Sequence, residues 1–156
     1  MENRSFQHLN PIWRDKANFI IGAVVPPLKN NPKEKVWEQL WARKLDNGFY
    51  EICCIPIFAY GLALGDLVEI DQGFMISNIS QKSGRVAIRV WLNEQIPQEK
   101  REELTEQILS LGCLLEWYSK HLLGVDSDSQ IKTEFLIKIL ETYQKERQIE
   151  FEFGNP

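Results

Sequence analysis

The 156-residue chain is 44% hydrophobic and 26% charged, the composition of an ordinary globular protein built as one domain or two small ones. No apolar run approaches the ~18 residues that cross a bilayer, and the opening stretch MENRSFQHLNPIWRDK lacks the apolar block of a signal peptide. A cytoplasmic protein with no membrane partner is therefore expected. Residues 1–93 carry 11 Lys+Arg against 9 Asp+Glu, and residues 94–156 carry 7 against 13. This acidic second half argues against nucleic acid as a direct partner, because phosphate contacts need cations. It suits a basic protein partner whose approach it would steer.

In chain order, residues 1–34 read as a polar arm containing one short strand, Phe19 to Val25, stopped by Pro26-Pro27. Its length and stop signal favour a buried strand over a helix. LKNNPKEK, residues 28–35, reads as a loop. Residues 35–83 form a second unit. Two strands, 36–45 and 49–55, flank the tight turn Asp46-Asn47-Gly48, where Asn and Gly tolerate positive φ. Pro56 removes a backbone donor and ends the second strand. A Gly61–Gly65 corner then feeds two further short strands, around Leu67–Ile70 and Phe74–Ile79. Short strands joined by glycine turns predict a small antiparallel half-barrel.

Residues 84–156 form the third unit. Val86, Ile88, Val90 and Leu92 alternate with Ala87, Arg89 and Trp91 in a period-two strand. Pro97 opens a helix with Leu104, Ile108 and Leu111 as its buried stripe, and Gly112 stops it. Cys113 to Asp126 reads as two short strands, although Leu114, Leu115, Tyr118 and Leu122 also fit a helical face. Asp128 or Ser129 caps a second helix, with Ile131, Phe135 and Ile139 beside Leu136, Leu140 and Tyr143 on one side. Ile149, Phe151 and Phe153 alternate in a last strand. The order β-α-β-β-α-β predicts a ferredoxin-like layer. The fold class expected is thus α+β, a half-barrel followed by that layer.

The central run also resembles a bacterial family known as a domain of unknown function. The shared features are Leu40-Trp41-Ala42-Arg43, Ile55-Pro56-Ile57-Phe58-Ala59-Tyr60, Leu64-Gly65-Asp66-Leu67-Val68 and the stretch from Ser83-Gly84 to Arg89-Val90. The similarity runs from about residue 11 to near the C-terminus. A second Phe is common in the family at Ile57, and a His at Arg85, so no titratable role carries over to that position. The resemblance implies an architecture and no assigned activity, although some members look like immunity proteins of toxin systems.

No catalytic set stands out. Cys53, Cys54 and Cys113 have no His placed beside them and read as buried thiols. His8 lies in the arm and His121 at a hairpin tip. Asp126 and Asp128 near Glu116 lack the spacing of a calcium loop, and no metal or cofactor is expected. Asp66 sits at a Gly-Asp corner where carboxylates tie down their own turn. Asp66, Arg85, Arg89 and Trp91 are the candidates for a ligand groove between the halves; Arg89 and Trp91, on one face, form a stacked pair that either lines this groove or, the reading slightly favoured, makes an interdomain contact. Glu99, Glu102, Glu103, Glu106 and Asp126 are the candidates for a face that binds a protein, such as a basic toxin domain. Of the five tryptophans, most are expected in the core, and one or two exposed ones would mark a binding surface. The functional expectation is a non-enzymatic protein binder, monomeric or homodimeric. The rival is a regulatory domain with a small-ligand pocket between the halves.

Overall fold

The structure, a computed structural model, describes residues 3–27 and 32–156. Residues 28–31, half of the loop read over 28–35, lie outside the described residues. Ten strands and two helices follow in the order β1 Asn3–Phe6, β2 Phe19–Val25, β3 Lys35–Lys44, β4 Tyr50–Ile52, β5 Leu67–Ile70, β6 Ile76–Gln81, β7 Val86–Leu92, α1 Gln98–Ser110, β8 Leu114–Ser119, β9 Leu122–Ser127, α2 Gln130–Lys145 and β10 Ile149–Phe153. The fold is α+β, and among the described residues it has two sheets and no closed barrel.

The first sheet is organised around β3, whose inward positions Val36, Glu38, Leu40 and Ala42 are buried while Lys35, Trp37, Gln39, Trp41 and Arg43 face outward. One edge of β3 pairs antiparallel with β2. The other edge is shared: β1 pairs with its beginning and β4 with its end. β5 and β6 extend the sheet from β4. The sheet curls until Met75, just before β6, makes a single bridge to Gly22 of β2. Three expectations are corrected here. The arm supplies two strands rather than one, and β1 runs parallel to β3, so the sheet is not wholly antiparallel. The second strand of the central hairpin also stops at Ile52, four residues short of Pro56, because the chain leaves the sheet there to cross to the other half.

The second sheet has the order β10-β7-β9-β8 with every neighbouring pair antiparallel. Both strands expected over 113–126 form, as β8 and β9. α1 begins after Pro97, and α2 begins at Ser129, whose hydroxyl accepts the Lys132 N–H. The helices cover one face: Leu104, Ile108, Leu136, Leu140 and Tyr143 pack on Ile88, Val90, Leu92, Leu123, Val125 and Ile149. Ile131 and Phe135 were expected on that packed side and are exposed instead. Phe135 and Ile131 lie on a stripe rotated about 100° round the helix from the Leu136–Leu140 face that packs on the sheet.

The opposite face of the second sheet is closed by the segment Cys53–Tyr60, which links β4 to the Gly61–Gly65 corner. Ile55 and Ile57 press so closely that a Cβ at Gly124 would lie 2.7 Å from Ile57 Cδ1 and 2.9 Å from Ile55 Cγ2. Glycine at β9 is thus what lets this segment reach the sheet. The central run CCIPIFAY is the seam between the two halves.

Candidate functional site

Backbone geometry at the seam dictates its chemistry. Cys53–Tyr60 is largely buried without regular sheet pairing, so its N–H groups need other acceptors. Two carboxylates supply them. Glu38, on the inward side of β3, accepts the N–H groups of Ile57, Phe58 and Ala59 at 2.9, 2.9 and 2.8 Å. Glu116, in the middle of β8, accepts those of Ile55 and Ile12 at 3.1 and 3.0 Å. One carboxylate comes from each sheet, and each holds a different part of the crossing segment.

His8 stands between them. Its Nε2 lies 2.5 Å from Glu38 Oε2, and its Nδ1 bonds Glu116 Oε2. Ionised carboxylates only accept, so both ring nitrogens must donate, and an imidazole with two N–H groups is the cation. Electrostatics agree. Burial alone lowers the pKa of His8, but hydrogen bonds and charge from Glu116 and Glu38 outweigh it and raise it to about 9. Glu38 is held below the ordinary carboxylate range: burial pushes it up, and His8 with the Ile57 and Ala59 amides pulls it down further. Tyr118 meets the imidazole edge-on at 6.1 Å, and Phe58, stacked on Phe6 at 4.0 Å, adds to the wall around it.

Arg89 completes the seam. It pairs across β7 with Gly124 and Glu152, so Glu116, Gly124, Arg89 and Glu152 form one row across the sheet. Its Nη2 donates to the Ala59 carbonyl, and its Nη1 lies 3.7 Å from Glu152 Oε1. The Tyr60 ring sits 4.5 Å from the guanidinium carbon, and the Tyr60 hydroxyl donates to Glu152 at 2.7 Å. Two buried carboxylates, Glu38 and Glu116, and two buried bases, His8 and Arg89, thus meet at the seam, with the half-exposed Glu152 beside Arg89.

This arrangement corrects the candidate groove. Arg89 is wholly buried and stacks on Tyr60, not on Trp91, which is exposed at the sheet's far end. Asp66 is buried and accepts the N–H groups of Ala63 and Ser83 at 3.0 and 2.8 Å, the turn chemistry of its corner. Arg85 lies over Trp13 and pairs with Asp126 at 2.5 Å. The four therefore do not line one groove, and the seam is packed rather than hollow. Asp126 is likewise corrected: it is buried against Arg85 and cannot share an exposed face with α1. Burial raises its carboxyl to about 6 against the opposing pull of Arg85.

The α1 carboxylates Glu99, Glu102, Glu103 and Glu106 are exposed. Glu102 and Glu106 border an open groove of about 780 Å³ between α1 and β8, floored by Trp117 and Tyr118. Arg101 lies over the Trp117 ring at 4.4 Å. Glu103 turns to the other side of the helix, where it accepts the Tyr143 hydroxyl and lies 3.7 Å from Lys100. All three cysteines are buried and unpaired by disulfides, and burial raises the thiol of each. Among the described residues no group of three or more His, Cys, Asp or Glu is arranged to hold a metal ion.

Residues 38–151 match the family model described as Domain of unknown function (DUF4265). The chain belongs to this family. The matched range opens at Glu38 and includes the crossing segment, Arg89 and Glu116, while His8 lies before it. No curated protein matches. A crystal structure described as a hypothetical protein from Neisseria gonorrhoeae is similar to 86% of this chain and 92% of its own, with TM-score 0.75 and 21% identity. That likeness establishes a shared fold.

Proposed function

We propose that this DUF4265 protein is a non-enzymatic, cytoplasmic protein-binding module of the immunity type, which captures a basic toxin domain on the acidic face of α1. The supporting observation is that Glu99, Glu102, Glu103 and Glu106 are exposed on α1 and that two of them, Glu102 and Glu106, border the open groove beside Trp117. Carboxylates on a lip and aromatic rings on a floor are the composition of an interface that uses charge for approach and aromatic area for retention. The packed seam supports a structural rather than catalytic use of the buried charges, since Glu38 and Glu116 hold backbone amides and His8, and Arg89 holds the Ala59 carbonyl. Among the described residues no helix is long and apolar enough to cross a membrane.

The test is association with a toxin domain encoded beside this chain. Reversal of Glu99, Glu102 and Glu106 to lysine is expected to slow association at least tenfold, and raising salt from 50 to about 300 mM is expected to slow the unmodified protein. An association rate that neither change moves contradicts the reading.

A further inference from the structure

Residues 3–16 cross the outside of the seam and enter it at few points. His8 and Pro11 are buried, while Gln7, Leu9 and Asn10 around them are exposed. β1 is an edge strand of four residues, paired in parallel with Lys35–Glu38 of β3. Further along, the Trp41 indole donates to the His8 carbonyl at 3.2 Å. The Ile12 and Trp13 N–H groups donate to Glu116 and to the Cys53 carbonyl, each at 3.0 Å. A short parallel pairing at a sheet edge contributes little, so the arm is fixed chiefly by what His8 reaches.

The trough under the arm is built by contacts that do not involve it. Glu38 is aimed by the Ile57, Phe58 and Ala59 N–H groups, and Glu116 by that of Ile55. Phe58 and Tyr118 meet edge-on with ring centroids 5.0 Å apart. Lifting the arm would uncover these four side chains and the backbone edge of β3 at Lys35–Glu38. An open strand edge with side-chain pockets beside it is a receptor for an extended segment. The arm shows what fits there. Phe6 stacks on Phe58 at 4.0 Å, and His8, two residues on, spans the two carboxylates, the period that puts both on one side of an extended chain. Asn10 of the arm and Tyr118 of the trough also line the open groove beside α1.

We infer that residues 3–16 are a detachable strap, and that the trough beneath them binds an extended segment of another protein in which an aromatic residue stands two places before a planar cation. The aromatic residue takes the Phe6 position against Phe58, and the cation takes the His8 position between Glu38 and Glu116. Imidazolium and guanidinium groups present N–H bonds that diverge in one plane, which suits carboxylates arriving from two sheets. A segment without a cation there leaves two carboxylates unpaired and is rejected. The site is distinct from the α1 carboxylates, and its test needs no toxin domain.

The test has two parts, both on the full chain. Native-state hydrogen exchange of the unmodified protein is expected to show the Ile12 and Trp13 amides opening together, with protection at least about tenfold below that of β7 and β9. Arm amides as protected as those strands overturn the inference. In the second part His8→Gln weakens the resident arm, and capped peptides are added at low-millimolar concentration, the range in which they compete with a tethered segment. The peptides are RSFQHL, the sequence of residues 4–9, and versions with arginine for histidine, glutamine for histidine or alanine for phenylalanine. The histidine and arginine peptides are expected to bind saturably and to return the Ile55 and Ile57 amide resonances towards their positions in the unmodified protein. The other two are expected to bind at least about tenfold more weakly. Equal binding of all four, or no saturable binding, overturns the inference. Dimerisation of the unmodified chain that His8→Gln abolishes assigns the trough to the arm of a second copy and overturns the choice of another protein.

Discussion

The two faces of the second sheet are held by different physics. The face under α1 and α2 is apolar, with Ile88, Val90, Leu123 and Val125 against Leu104, Ile108, Leu136 and Leu140. Its stability follows buried area and tolerates rearrangement as long as volume is kept. The face against Cys53–Tyr60 carries Glu116, Arg89 and Asp126 around Gly124. There, each charge is tolerable only because a particular partner stands opposite, so position matters more than volume. The apolar face makes the layer stable, and the charged face specifies how the other half is set upon it.

Breaking the charged face is expected to have the largest effect. Glu38→Ala leaves three backbone N–H groups and the His8 cation without their acceptor. Denaturant unfolding is expected to show a loss of at least about 4 kcal/mol, the scale for breaking a buried pair plus stranding its donors. Leu136→Ala on the apolar face costs about 2–5 kcal/mol through its cavity, and the sharper contrast is in pH. The loss at Leu136 is expected to be the same at pH 6 and pH 9, while that at Glu38 shrinks as His8 deprotonates.

The His8 contribution has a defined sign. Its folded pKa of about 9 lies above the unfolded value of 6.5, so its stabilisation is complete below pH 6.5 and is lost as pH rises through about 9. Thermal or denaturant unfolding between those limits is expected to show a decline on the order of 3 kcal/mol, which His8→Gln removes. Gly124→Ala drives a Cβ into Ile55 and Ile57 and is expected to cost about 1–3 kcal/mol by overpacking. Asp126→Asn is expected to be mildest, changing stability at pH 7 by less than about 1 kcal/mol. Burial already disfavours its carboxylate as pH rises from 3.8 through about 6, so a neutral isostere relieves part of what loss of the Arg85 pairing costs.

Much of this architecture was legible in local pattern. The period of β7, the Pro97 and Gly112 limits of α1, the Ser129 cap and the Asp46-Asn47-Gly48 turn each have short-range signatures. The α+β class followed from their order. The seam was not legible because its parts are far apart in the chain: His8 bonds Glu38 and Glu116 across 30 and 108 residues. One local signal was present. Glu38 falls at the inward parity of Val36, Leu40 and Ala42, and Glu116 interrupts the apolar run Cys113-Leu114-Leu115. A carboxylate at a core position implies a buried donor, even when the donor cannot be named. Arg89 was misplaced for a related reason: strand alternation puts it on the face of Trp91 but does not show where Cys53–Tyr60 covers that face and where it stops.

The central claim is that a protonated His8 joins the two halves through one carboxylate from each. The direct measurement is an NMR titration of the His8 imidazole carbon-bound protons in the folded protein from pH 5 to 10.5, with His8→Gln used for assignment. The account predicts a midpoint near 9, with the Ile55 and Ile57 amide resonances moving in the same transition. A midpoint at or below 6.5, with those amides unmoved, would contradict it.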